Sequence, residues 1–230
     1  MISKILKIIP IILLLFFISA FYLRPLFGSI YTEEVEITEY SVVVNSLITL
    51  FLLISIPLSW LYLIDGKKTE DVLRYLKIRK ENLGLAIVYG IIGFSFVIFI
   101  LMLFGIYIKT SGEEYDNPLV KEIARTLSIP SIVFIALAQS SGEEIFFRGF
   151  LMEKLSLNGN YHIGIFLSSL LFGLAHLSYN QIYQVILPIA IGVIFGYMVA
   201  KSKNLLSSII PHASYNLISL LIAHYISLTL

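Results

Sequence analysis

Cysteine is absent from the 230 residues. That excludes disulfides, thiolate metal sites and a cysteine nucleophile. Charge is also scarce. Only 13% of the chain is Asp, Glu, Lys or Arg, and the formal net charge of +1 gives no electrostatic basis for holding nucleic acid. There are four histidines, so imidazole chemistry has few places to reside. No internal repeat, low-complexity tail or HExxH helix occurs. The repeat signature of many transporters and the local signature of a zinc peptidase are therefore missing.

Apolar side chains fill the space left. The chain is 58% hydrophobic with a mean hydropathy of +0.90, where a soluble domain has about 45–50% apolar residues. This composition predicts one integral membrane domain over residues 1–230, an all-α transmembrane bundle of about seven to eight helices. The apolar runs place spans at 5–23, 41–64, 83–108, 129–155, 162–179, 182–200 and 205–228. An eighth helix fits within 118–128. The first run can also be read as a cleaved signal peptide, but it is longer than a usual signal core. Residues 31–40 form an acidic loop, and the charged segment 65–81 reads as a solvated loop around a short surface helix. Gly192 and Gly196 make a small-xxx-small pair, read as close helix packing. A cytoplasmic N-terminus puts Lys4, Lys7, the six Lys/Arg of 65–81, Lys154, Lys201 and Lys203 on the cytoplasmic side. It leaves Arg24, Lys109, Lys121 and Arg125 on the other, as the positive-inside rule requires.

Against this background the stretch 139–149, QSSGEEIFFRG, is out of place. Charge in hydrocarbon costs roughly 2.5–3.5 kcal/mol per residue on insertion scales. On a helix Glu144 and Arg148 stand at i and i+4 with the acid first, the better orientation for a pair. Glu143 points about 100° away. It shares a face with Gln139 and Phe147, neither of which can neutralise it. Glu144 and Arg148 thus read as a structural ion pair, and Glu143 as a general base.

His162 and His224 lie near span ends and read as interfacial. His176 and His212 lie inside spans, where a polar side chain is a functional candidate. Counted at about 1.5 Å per residue, Glu143, His176 and His212 share a depth between the midplane and the cytoplasmic half. Phe172 precedes His176 by four residues. Asn180 follows it by four, where a helix cap and a site role both stand open. Asn216 follows His212 by four, and two neutral donors one turn apart can hold an oxyanion. Pro211 frees a backbone carbonyl, tolerated where protein or water surrounds it. Two chemistries fit. In one, Glu143 deprotonates a water that His176 orients, while His212 and Asn216 hold the tetrahedral intermediate, with no cofactor. In the other, Glu143, His176 and His212 bind Zn²⁺ or another divalent metal.

The motifs are Glu143-Glu144-Ile-Phe-Phe-Arg148, Phe172-Gly-Leu-Ala-His176 and His212-Ala-Ser-Tyr-Asn216. In that order they resemble EExxxR, FxxxH and HxxxN of the CPBP family, the CAAX prenyl proteases and bacteriocin-processing (Abi) membrane proteases, which include the Rce1 type. The resemblance covers roughly 130–221. It implies an all-helical intramembrane endopeptidase acting on a peptide or lipidated protein, with CAAX-type processing in the Rce1-type members. It also implies Glu143 as the water-activating base, His176 beside it, and His212 with Asn216 at the oxyanion. Glu144, Arg148 and Phe172 are then supporting residues. Two other readings use the same residues: a non-catalytic immunity or scaffold protein whose polar groups only hold helices together, and a proton-coupled transporter. Nothing in the sequence sets the substrate or the oligomeric state.

Overall fold

Within hydrocarbon every backbone N–H and C=O must find its partner inside the protein, so a long apolar run becomes a helix. The computed structural model describes residues 5–27, 37–112, 118–179 and 181–229, and its regular elements are all helical among those residues. Lys4, residues 31–36 of the acidic loop, and Asn180 lie outside the described residues.

Nine helices follow in order among the described residues: α1 Leu6–Leu26, α2 Glu39–Ile64, α3 Thr69–Tyr75, α4 Leu83–Ser111, α5 Pro118–Thr126, α6 Ile129–Glu144, α7 Tyr161–Leu174, α8 Tyr183–Ser202 and α9 Leu206–Thr229. Five of them, α1, α2, α4, α8 and α9, are long and apolar enough to cross a membrane. The chain is a multi-pass membrane protein built as a helical bundle. The helix expected within 118–128 is present as α5, whose nine residues are too few to span.

The two remaining expected spans take other forms. α6 runs on without a break through a π-helical stretch, Ile145–Leu151, and a last turn, Met152–Leu155. α7 has only 14 residues, roughly 21 Å, short of the ~30 Å hydrocarbon core. It ends at Leu174, and His176 stands in the turn beyond it, not inside a span as hydropathy suggested. Hydropathy does not report this end, because Leu174, Ala175 and Leu177 are as apolar as the helix they close.

α1 packs on α2, α2 on α6, α8 on α7 and α4, and α9 on both α4 and α6. The largest buried cluster joins Phe17 of α1, Leu52, Leu53 and Ile56 of α2, Phe146, Phe147 and Phe150 of the π stretch, and Phe172 of α7. At one end of the bundle, residues 65–81 contain the expected surface helix, α3. They are not simply solvated, however: Val72 and Leu76 join the same cluster, and Lys77 is buried in an ion pair with Glu153. The Asn204 side chain donates to the Arg79 and Glu81 carbonyls at 2.9 and 2.8 Å. These bonds clamp the segment to the start of α9.

Candidate active site

The site is built on the second half of α6. Glu144 and Arg148 are both fully buried, and Arg148 Nη1 donates to Glu144 Oε1 at 2.9 Å. π winding places Phe146, Phe147, Arg148, Gly149 and Phe150 all inside the protein; such stretches are frequent at functional sites. The guanidinium lies 4.2 Å over the Phe172 ring, with Phe195 at 5.8 Å and Phe147 at 5.9 Å. These faces supply cation–π attraction where water is excluded. Glycine at 192 makes room for it: a Cβ there would stand 2.9 Å from Arg148 Nη2 and 3.1 Å from Ser169 Cβ. The Gly192/Gly196 pair does bring α8 against α7, since a Cβ at Gly196 would meet Ile165 at 2.9 Å. Gly192 additionally seats the arginine.

α9 meets this face as an antiparallel ladder. The His212 Nδ1–H donates to Glu144 Oε1 at 2.8 Å, and Asn216 Nδ2 donates to Ser140 Oγ at 2.9 Å. Each helix contributes residues four apart, about 6 Å along its axis, so the i, i+4 spacings on α6 and α9 are two sides of one register.

Glu143 looks to one side of the ladder. Its Oε1 accepts from Gln139 Nε2 at 3.2 Å, and its Oε2 lies 3.5 Å from His212 Nε2. It is therefore not left without neighbours, as helix geometry alone implied: Gln139 donates to it, and the His212 ring approaches it from another helix. The His176 Nδ1–H donates to the Phe172 carbonyl at 2.8 Å. A carbonyl can only accept, so Nδ1 carries a proton and Nε2 is the ring's other nitrogen. The Phe172 ring meets both imidazoles edge-on, with centroids 5.0 Å from His176 and 5.8 Å from His212. One phenylalanine thus spaces the arginine and both histidines.

These groups border a cavity of about 650 Å³, within the roughly 300–1,000 Å³ common for ligand sites. Gln139, Glu143, His176, His212 and Asn216 form its polar wall, while Leu101 and Phe104 of α4 with Leu187 and Ile191 of α8 form the apolar one. Four of the expected site residues, Glu143, His176, His212 and Asn216, thus come together from α6, the turn after α7, and α9. His162 pairs with Tyr197 instead, and His224 donates to the Ala124 carbonyl.

The alternative metal set does not fit. Among the described residues no three His, Asp or Glu side chains are placed to hold a metal ion. Ser140, which carries Asn216, and Phe195, 5.8 Å from the guanidinium and 5.7 Å from the His212 ring, lie outside the expected set. Ser140 had a readable signal. It precedes Glu144 by four residues, matching the four between His212 and Asn216.

Residues 125–218 match the family model for type II CAAX prenyl endopeptidase Rce1-like proteins. The chain carries an Rce1-like domain. No curated protein and no solved structure matched the chain. The Rce1-like domain contains every one of the four cavity-lining site residues, whereas α1 to α4 lie before it.

Proposed function

We propose that this chain is an intramembrane endopeptidase in which Glu143 activates water for attack on a peptide bond. The observation that carries the proposal is the meeting of Glu143 and His212 at 3.5 Å, on the wall of a cavity that His176 and Asn216 also border. A role confined to holding helices together accounts for the ladder but not for a cavity of this size beside the carboxylate. The match of residues 125–218 to the Rce1-like family model supports the peptidase class.

The steps use only this chain's side chains. Glu143 takes a proton from water as the oxygen adds to the scissile carbonyl carbon, and His176 Nε2 orients that water. The carbonyl oxygen becomes an oxyanion, bonded by the second N–H of the Asn216 amide, whose first is held by Ser140. His212 assists from Nε2. Its Nδ1–H is held by Glu144, which turns Nε2 toward Glu143 and the cavity wall. The C–N bond then breaks, and Glu143 returns its proton to the leaving amine. The fitting substrate is a peptide with an apolar or lipid-bearing flank, its scissile bond at the polar wall and its flank between α4 and α8. The distribution of Lys and Arg supports a cytoplasmic N-terminus.

The test is cleavage of apolar and prenylated reporter peptides by the purified protein in proteoliposomes, with fragments read by mass spectrometry. Internal cleavage by wild type and its loss in folded Glu143→Gln is the expected result. Equal cleavage by both proteins would remove the assignment.

A further inference from the structure

Glu143 and His176 border two cavities. The second holds about 110 Å³ and lies on the α1 side, where Phe17 and Phe21 of α1 and Thr49 and Leu53 of α2 line it. Gln139, Glu143, Phe172 and His176 line both spaces. Among the described residues His212 and Asn216 line only the large one. The base and its histidine thus border both spaces, and the oxyanion donors only one. α1 is pinned in place by Tyr22, whose hydroxyl donates to the Leu171 carbonyl at 3.0 Å, and by Phe17, whose ring lies 4.7 Å from that of Phe146.

We propose that the small chamber holds the hydrolytic water, separately from the chamber that receives the peptide. Resting on the peptidase reading above, this adds where the nucleophile waits. A water occupies about 30 Å³ of liquid and needs two to four polar partners when buried. At about 110 Å³ the chamber is large enough to admit water, and it is bordered by the polar residues Gln139, Glu143 and His176. Attack on a carbonyl proceeds from one face of its plane while the developing charge moves to the oxygen. Water arriving past Glu143 from the α1 side meets a carbonyl whose oxygen points at Asn216 and His212 in the large chamber. Water gives one proton to Glu143, its oxygen bonds to carbon, and the amine leaves with the returned proton. The walls formed by α1 and α2 lie outside the matched 125–218, so the N-terminal helices contribute to the reaction by shaping this space.

The experiment is to fill the chamber from two walls away from the site residues, with Thr49→Leu and with Phe21→Trp, and to compare both with Thr49→Ser. Each is assayed for kcat and KM on a cleaved reporter peptide and melted in detergent to establish folding. Both filled variants are expected to lose about tenfold in kcat with KM within about twofold, the pattern of a group acting after substrate binding. Thr49→Ser should keep the wild-type kcat. If Thr49→Leu does not fold, Phe21→Trp decides. A folded filled variant with wild-type kcat, or a Thr49→Ser variant as slow as Thr49→Leu, overturns the assignment. Glu143→Gln in the same series separates the two claims. If it is inactive while the filled variants turn over normally, only the chamber falls. If it cleaves as well as wild type, the peptidase reading falls and the chamber with it.

Discussion

Removing one member of the Glu144–Arg148 pair should harm the protein far more than removing both. The two side chains are fully buried and 2.9 Å apart. At that distance their attraction is about 6 kcal/mol for an effective dielectric of about 20, before desolvation is charged against it. Arg148→Met leaves the buried Glu144 carboxylate with His212 and the Ser208 hydroxyl but no arginine. Glu144→Gln leaves a guanidinium whose Nε and Nη2 have no hydrogen-bond partner among the described residues. Breaking a buried pair in this way costs about 3–5 kcal/mol, whereas replacing both charges together costs much less. The cycle of wild type, Arg148→Met, Glu144→Gln and the double variant should therefore close with a coupling energy of about 2–3 kcal/mol. It is measured by reversible unfolding in mixed micelles. Additive single effects, with coupling below about 0.5 kcal/mol, would refute the reasoning and detach the pair from the frame of the site.

Four further outcomes follow. Ser140→Ala frees the Asn216 amide and should lower kcat about tenfold with KM nearly unchanged, the signature of a contact made in the transition state; an unaltered kcat would contradict the ladder. Gly192→Ala pushes a methyl into Arg148 and should destabilise the protein by about 1–3 kcal/mol, read by the same unfolding assay; no loss would mean the guanidinium has other room. Burial holds the Lys77 ammonium below the ordinary lysine range although Glu153 pulls the other way. Between the folded value and the ordinary one of about 10.4 the unfolded chain binds more protons, so wild-type stability should rise with pH there. Lys77→Met should lack that slope in melts from about pH 8 to about pH 10, and parallel slopes would count against it. A chelator such as phenanthroline should leave peptide cleavage unchanged, since Glu143, His176 and His212 do not form a metal set; restoration of chelator-treated protein by added zinc would reopen that choice.

Much of this was legible in residue order. Hydropathy located the long helices because a lipid-facing segment has no other way to satisfy its backbone. The i, i+4 spacing identified the Glu144–Arg148 pair because both lie on one helix. Local spacing does not report contacts between helices. The ladder joining Ser140 to Asn216 and Glu144 to His212 depends on the antiparallel register of α6 and α9, for which the sequence holds only the matching four-residue intervals. Nor does it show the π winding of Ile145–Leu151, since a wider turn uses the same residues as an ordinary one. The end of α7 before His176 was hidden by the unbroken apolar run around it. The part played by Phe17, Phe21 and Thr49 was hidden for a related reason: one apolar face of a helix looks like another until its neighbour is known.

The central claim is that Glu143, His176, His212 and Asn216 form one hydrolytic site, and binding of a peptidyl phosphinate, a mimic of the tetrahedral intermediate, tests it most directly. A structure of that complex should place one phosphinate oxygen within hydrogen-bond distance of Asn216 Nδ2 and His212 Nε2 and the other beside Glu143, with affinity about a hundredfold or more above that of the parent peptide. A phosphinate that binds no better than the peptide, or that sits in the cavity away from these four side chains, would contradict the account.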